Sequence, residues 1–428
     1  MTGDPYLPST LPPRFRSPLR EPFVPDDART LAAVESSAAS VVDRAAAFEK
    51  AGARAQLAFE PGRTRAAIVT TGGLCPGTNN VVRAITLELH HRYGVRDVLG
   101  FRYGFDGMAA SSELEPVALS PERVRHIHHL GGTILGTSRV RRTGAEMADA
   151  LERRGVDLLF AIGGNGTLRA AAEIVGELAR RGSRIAVVAV PKTIDDDIGY
   201  VDKTFGFETA VEHARAAIDS AHAEALAARN GVGIVKLMGR DAGFVAAHAT
   251  IASAEANFCL LPEFPFALDG ASGLSAALVA RLAARGHAVI VVAEGCGRAL
   301  ATARSERDPA GNLRYASPSL DVGRHLCEAV QHHFDAIGVA IGLKYIDPSY
   351  MIRAAPANAS DAFYCTELGR HAVHAAMAGR TGVLVGRCHG VYAHVPIVLA
   401  IERVPRVGDE LWQAVREVTG QPPLCEVR

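Results

Sequence analysis

The chain has 428 residues, 48% of them hydrophobic and 21% charged, which suits a soluble globular protein with room for two domains and substantial cores. Lysine plus arginine equals aspartate plus glutamate at 46 each, so no global basic field exists for nucleic acid and any anion site is local. Seven scattered cysteines (Cys75, Cys259, Cys296, Cys327, Cys365, Cys388 and Cys425) form no CxxC pair. That argues against a zinc ribbon or a disulfide framework and for the cytoplasm. No apolar stretch reaches membrane-spanning length.

The amino-terminal MTGDPYLPSTLPPRFRSPLREPFVPDD lacks the apolar core of a secretion signal and reads as an extended arm. Residues from about Ala28 to Ala58 are alanine-rich with spaced charges, which predicts helix. From about Thr64 a pattern recurs: an apolar run, then glycine, then a helix-compatible stretch. It appears at 66–73, 157–166, 184–192, 233–240, 288–295 and 382–387, with helical segments such as Glu208–Ala227 and Leu274–Arg285 between. Fully apolar runs of this kind belong to parallel strands buried on both faces. The alternation predicts α/β layers whose glycine turns gather at the carboxyl edge of a sheet, where ligands of such folds bind.

The run Pro191-Lys192-Thr193-Ile194-Asp195-Asp196-Asp197 follows one of these strands. Three adjacent acids repel each other in a dry site. They make sense beside a metal ion, a phosphate bound through lysine, or a hydroxyl that must lose its proton; a solvated acidic turn is the plain alternative. Five other constellations share the pattern. Thr71-Gly72-Gly73-Leu74-Cys75-Pro76-Gly77-Thr78-Asn79-Asn80 is a strand–helix turn whose amides can approach an anion, with the helix starting near Asn79. The second runs from Gly131 to Arg142 and pairs small residues with an arginine fork suited to phosphate. In the third, Gly163-Gly164-Asn165-Gly166-Thr167 resembles the GGDGT turn of nucleotide-dependent kinases, with asparagine in place of the acid. The fourth, Lys236-Leu237-Met238-Gly239-Arg240-Asp241-Ala242-Gly243, delivers an arginine to a sheet edge, and Glu263 ends a nearby run. In the fifth, Tyr350 and Arg353 of KYIDPSYMIR offer a phenol and a guanidinium to a second phosphate. The histidine pairs at 90–91, 128–129 and 332–333 lack metal-motif context and read as surface or helix-end residues.

In this order the constellations resemble the ATP-dependent 6-phosphofructokinases of the plant and kinetoplastid type, a branch related to pyrophosphate-using enzymes. The resemblance covers about Phe48 to Trp412 and includes GGLCPGTNN, GGTILGTSR, PKTIDDDI, FGFETAV, KLMGRDAGF, PEFPF and KYIDPSYMIRAAPANASD. It implies ATP and Mg²⁺ as cofactors and glycolytic phosphorylation of the 1-hydroxyl of fructose 6-phosphate. Gly73, Arg139, Val140, Lys192 and the stretch Gly164, Asn165, Gly166, Thr167 match positions that hold the nucleotide. Asp195 matches the general base, Thr193 a support for the transferring phosphoryl group, and Asp197 an acid near magnesium, which Asn165 would share. Met238, Gly239 and the catalytic Arg240 match the sugar-phosphate cradle, Glu263 a sugar-hydroxyl acceptor, and Tyr350 and Arg353 residues around the 6-phosphate. Pyrophosphate-using relatives carry aspartate at position 166, filling the space of the α-phosphate, so Gly166 favours ATP.

Two departures stand out: Asn165 replaces an acid, and Asp196 replaces the usual asparagine between the two functional acids. Together they leave two alternatives open, a same-fold kinase for another ketose phosphate (a heptulose or epimeric hexulose phosphate) and a catalytically weak regulatory subunit. The family also implies two Rossmann-like three-layer lobes with mostly parallel sheets. A partly helical extension spans 1–64. The nucleotide lobe spans 65–206 with 352–397, and the sugar-phosphate lobe 207–351 with 398–428. A homodimer or homotetramer is implied, with no nucleic-acid or membrane partner.

Overall fold

The structure is a computed structural model that describes residues 4–20, 22–34, 46–109, 112–297, 305–307, 313–315 and 321–424. Two sheets organise it. The larger has nine strands in the order Arg29–Leu31, Ala47–Lys50, Val391–Pro396, Val383–Cys388, Ala186–Pro191, Leu158–Gly163, Arg65–Thr70, Asp97–Phe101 and Val117–Ala118. Its five central strands, from Val383–Cys388 to Asp97–Phe101, are all parallel, and the flanking pairs are antiparallel. The smaller sheet is wholly parallel in the order Phe258–Leu260, His287–Ala293, Gly231–Leu237 and Gly342–Ile346.

Side-chain alternation along the central strands divides the first lobe into two cores. Ala66, Ile68, Leu158, Phe160, Ile162, Val188 and Val190 face the helices Thr78–Arg92 and Ala359–Met377. Ala67, Val69, Leu159, Ala161, Val187 and Ala189 face Gly144–Arg153 and Asn165–Arg180. Burial on both faces explains why these strands are unbroken apolar runs. The first of these cores continues without interruption into the second lobe, through the helix Phe207–Ala227 to Val232, Ile234 and Val291. The lobes therefore share an apolar seam.

The predicted elements from Thr64 onward fall where expected, including Phe207–Ala227, Leu274–Arg285 and a helix starting at Thr78. The histidine pairs sit in a last helical turn at His90 and His91 and in a 3-10 turn at His128 and His129.

The expectation of helix over 28–58 is corrected. Its described residues form the strands Arg29–Leu31, Ala47–Lys50 and Gln56–Leu57, while 35–45 and Cys425 lie outside the described residues. Tertiary partners overrule alanine's helix preference here. Glu49, 4% exposed, accepts from Arg380 Nη2 at 2.7 Å and pairs with His394 Nδ1 at 2.7 Å, which fixes its strand against Val391–Pro396. Burial opposes ionisation of Glu49, yet these bonds hold its carboxyl below the usual carboxylate range. The extension is thus stitched into the first lobe's sheet. A second boundary also moves. The helix Ile397–Glu402 packs on Asn165–Arg180 of the first lobe, whereas Asp409–Thr419 packs on Phe244–Ser253 of the second, so the chain changes lobe near residue 403 rather than 397.

One buried side chain ties the acid run's exit to the seam. Asp361, fully buried, accepts from Gly206 N at 2.9 Å, Thr209 N at 2.8 Å and Thr209 Oγ1 at 2.6 Å. Desolvation raises its pKa and these donors oppose the rise. Asp361→Ala leaves buried amides without an acceptor and is expected to cost about 3 kcal/mol, read from the shift in urea midpoint at unchanged slope. A loss under about 0.5 kcal/mol is what a peripheral residue gives and contradicts this role.

Candidate active site

The carboxyl ends of both sheets open onto one cavity of about 670 Å³, lined by residues of both lobes. Strand order places the glycine turns side by side there, because Arg65–Thr70, Leu158–Gly163 and Ala186–Pro191 are hydrogen-bonded neighbours. The turn after the first carries Gly72 at φ +87, left-handed backbone that a side chain disfavours, and Gly73 beside the Arg139 guanidinium. Thr137 Oγ1 donates to Gly72 O at 2.7 Å and Gly72 N to Ser138 O at 3.1 Å, locking the Gly72 and Arg139 loops together.

The turn after the second strand starts a helix at Asn165, with Gly164 as N-cap and no side-chain cap. The N–H groups of Thr167 and Leu168 bond back to Gly164 O, so those of Asn165 and Gly166 are the ones left pointing out of the helix start. Thr167 meets Thr71 hydroxyl to hydroxyl, which joins this turn to its neighbour. Lys192, 5% exposed, donates from Nζ to Gly73 O at 2.6 Å. Burial lowers its pKa, with the Arg139 charge adding to the effect, and an incoming phosphate would favour its charged form.

Asp195 and Asp197 line the cavity, and Asp196 does not. Asp196 takes φ +55 and turns its carboxylate to Thr204, accepting from N at 2.7 Å and lying 3.2 Å from Oγ1. Left-handed backbone of this kind is tolerated by Asn and Asp, whose short polar side chains bond locally. The Asp-for-Asn exchange at 196 is therefore a turn substitution, and it gives no reason to expect another sugar. Burial raises the Asp196 carboxyl to about 6 despite the Thr204 bonds.

Burial, the neighbouring Asp197 and then Glu294 raise Asp195 well above the ordinary carboxyl value, and Arg240 opposes them. Asp197 is also raised, first by burial, against hydrogen bonds from Thr193 and Asn165. Asn165 Nδ2 donates to Asp197 Oδ2 at 2.8 Å. Asn165 Oδ1, Asp195 Oδ1 and Asp197 Oδ1 are buried oxygens with no donor. Oxygens in that state, two acids and an amide, fit a hard cation whose other ligands are phosphate oxygens and water. Among the described residues no group of three or more His, Cys, Asp or Glu is arranged to hold a metal ion by itself.

The second lobe contributes Met238, Gly239, Arg240 and Asp241, with Gly239 at φ +127 where a Cβ would come within 2.6 Å of Ala242 O. Val140, Thr193 and Arg353 line the cavity as well. Two sequence-predicted residues do not. Glu263 Oε1 accepts from Gly243 N at 2.9 Å and Val407 N at 3.1 Å, its Oε2 is buried without a donor, and the residue stands off the cavity lining. Tyr350 is 75% exposed, with the Arg353 guanidinium 4.6 Å over its ring, outside the cavity.

Sequence reasoning missed Glu294. It lines the cavity with Oε1 3.6 Å from Arg240 Nε. It ends the apolar run 288–294, so the rule that ligands sit at strand carboxyl ends would have found it. Val404 and Arg406 also line the cavity from a segment carrying no motif.

A family profile described as Phosphofructokinase matches residues 65–376, nearly three quarters of the chain. The chain belongs to the phosphofructokinase family. It is 44% identical over 384 residues to the ATP-dependent 6-phosphofructokinase of Borreliella burgdorferi, covering 88% of this chain and 85% of that one. Against the protein of that name from Trypanosoma brucei brucei it is 46% identical, over 87% and 76% of the two chains, which agrees with the kinetoplastid-type resemblance. The pyrophosphate-dependent phosphofructokinase structure from Marinobacter aquaeolei aligns with TM-score 0.65 at 19% identity, over 85% of this chain and 94% of that one. At that identity the likeness concerns the fold, and it agrees with the two-lobe α/β architecture.

Two predictions follow from how this phosphofructokinase site is charged. Asn165→Asp places a carboxylate against Asp197 where an amide now donates, so activity should saturate at several-fold lower free magnesium; an unchanged magnesium titration would separate position 165 from the metal. Glu294→Gln removes a negative charge that raises Asp195. A base acts when ionised, so the acid limb of kcat/KM against pH should move to lower pH; an unmoved limb uncouples the two groups.

Proposed function

We propose that this chain is an ATP-dependent 6-phosphofructokinase that transfers the γ-phosphoryl group of ATP to the 1-hydroxyl of fructose 6-phosphate, giving ADP and fructose 1,6-bisphosphate. The observation that carries the reading is a single cavity. It joins the phosphate-facing helix start at Asn165, the raised carboxyl of Asp195, and the Arg240–Glu294 pair of the opposite lobe. The names of relatives at 44–46% identity support the donor and the acceptor.

Each residue's part follows from its place. Asp195 accepts the proton of the attacking hydroxyl, and its raised pKa makes it a stronger base than a surface carboxylate. The hydroxyl oxygen bonds to phosphorus as the bridging P–O bond breaks and its electron pair leaves with ADP. The amides of Asn165 and Gly166, with Lys192 and Arg139, balance charge on the polyphosphate, and Thr193 supports the moving phosphoryl group. Arg240 and Arg353 receive the sugar phosphate, while Glu294 accepts from sugar hydroxyls. Mg²⁺, held through Asn165 and Asp197, would neutralise phosphate charge in the transition state. Because the cavity is walled by both lobes, their approach excludes water that would otherwise intercept the phosphoryl group.

Around that chemistry we infer a homodimer or homotetramer, supported by the exposed apolar side chains Tyr350, Met351 and Phe363. The free thiols among the described cysteines support a reducing, cytoplasmic setting. No helix among the described residues is long and apolar enough to cross a membrane.

The test is direct. Purified protein given MgATP and fructose 6-phosphate should release ADP, and Asp195→Asn should lower kcat by about 10³-fold with sugar KM little changed. Turnover confined to another ketose phosphate, or full activity in the variant, would overturn the reading.

A further inference from the structure

Between the helices Ile397–Glu402 and Asp409–Thr419 the chain crosses from one lobe to the other through residues 403–408. This strap is held at both ends. On the first lobe Gly199, two residues after Asp197, comes so close that a Cβ there would lie 2.4 Å from Arg403 O. The Arg403 guanidinium stacks over the Tyr200 ring, 5.3 Å from its centroid. On the second lobe the N–H of Val407, a residue only 4% exposed, donates to Glu263 Oε1 at 3.1 Å. The same oxygen accepts from Gly243, which closes the run that begins at Met238. Arg406 lies between these anchors, exposed and lining the cavity, with no ion-pair partner among the described residues.

A guanidinium held at a cavity wall without a counter-charge is an anion ligand in waiting. Two anions enter this cavity on the reading above, and position decides between them. The strap leaves a helix packed on Asn165–Arg180, whose amino-terminal amides face the cavity, and it abuts the backbone just beyond Asp197. That is the nucleotide side. The sugar side already has Arg240, balanced by Glu294, and Arg353.

We propose that Arg406 binds the polyphosphate of the nucleotide, and that Glu263 is its positioning residue, fixing the strap through the Val407 amide and aligning it with the Met238–Gly243 cradle. The inference rests on the reading that this cavity takes a nucleotide. It assigns Glu263 a task consistent with the two backbone amides that its Oε1 accepts from.

Calorimetric binding of ADP with magnesium and, separately, of fructose 6-phosphate tests it on the full chain. Arg406→Ala is a surface change that leaves folding intact; it should weaken ADP by about tenfold or more and leave fructose 6-phosphate within about twofold. Glu263→Leu should weaken ADP similarly, and Glu263→Gln, which keeps an oxygen for both amides, should recover most of that loss. Combining Arg406→Ala with Glu263→Leu should weaken ADP little beyond either single change, because both remove one interaction. Wild-type protein that binds fructose 6-phosphate but no nucleotide would overturn the nucleotide reading together with this inference. Wild-type binding of ADP matched by Arg406→Ala, or a loss confined to the sugar phosphate, would overturn the inference alone. Simple addition of the two losses, with no rescue by glutamine, would remove Glu263 from its positioning role.

Discussion

Enclosing two carboxylates within a few residues of each other is unfavourable, and the site is organised around that penalty. Asp195 and Asp197 each keep a buried oxygen that no protein donor reaches, and burial pushes both carboxyls upward. Such groups persist only when surrounding structure over-determines them. Here the restraint comes from three parallel strands, whose hydrogen-bonded adjacency brings the Gly72 turn, the Asn165 helix start and the acid run together. Asp361 then grips the chain nine residues further on, at Gly206, and joins it to the helix Ala359–Met377. The cost of the paired acids is thereby spread over hydrogen bonds far from the chemistry.

Much of this was legible in the residues because each signal was local. An apolar run followed by glycine identifies a two-sided strand and its turn, and the ordered motifs carried the family. The glycine turns and Arg240 accordingly line the cavity. Reading failed where the outcome depends on partners distant in sequence. Residues 47–50 carry no strand signature strong enough to outweigh the alanine-rich stretch they close; Arg380 and His394, more than 300 positions away, hold Glu49 and with it the strand. Glu263 has the residue type of a sugar acceptor, yet one of its oxygens is held by an amide 144 positions away, and Glu294 is the carboxylate that lines the cavity beside Arg240. Tyr350 sits one helical turn from Arg353, but only the arginine reaches the cavity. The strap at 403–408 had no motif at all, since its significance comes from what it touches.

The continuous apolar seam bears on motion. Because the first lobe's inner core runs into the second through Phe207–Ala227, the lobes meet at a packed contact and are not joined by a loose tether. Small rotations about such a contact alter the cavity mouth while leaving both sheets intact. The strap at 403–408 spans the same gap on the cavity wall, so it registers any change in the angle between the lobes.

The inverted turn at Asp196 carries a lesson for classifying relatives. Its left-handed backbone and the Thr204 N–H that it accepts fill a conformational niche open to an amide or an acid alike. A scheme that sorted enzymes by substrate on the middle letter of this triplet would group them by the geometry of a bend. Position 165, where the side chain donates to a carboxylate on the cavity wall, is the more informative letter to compare.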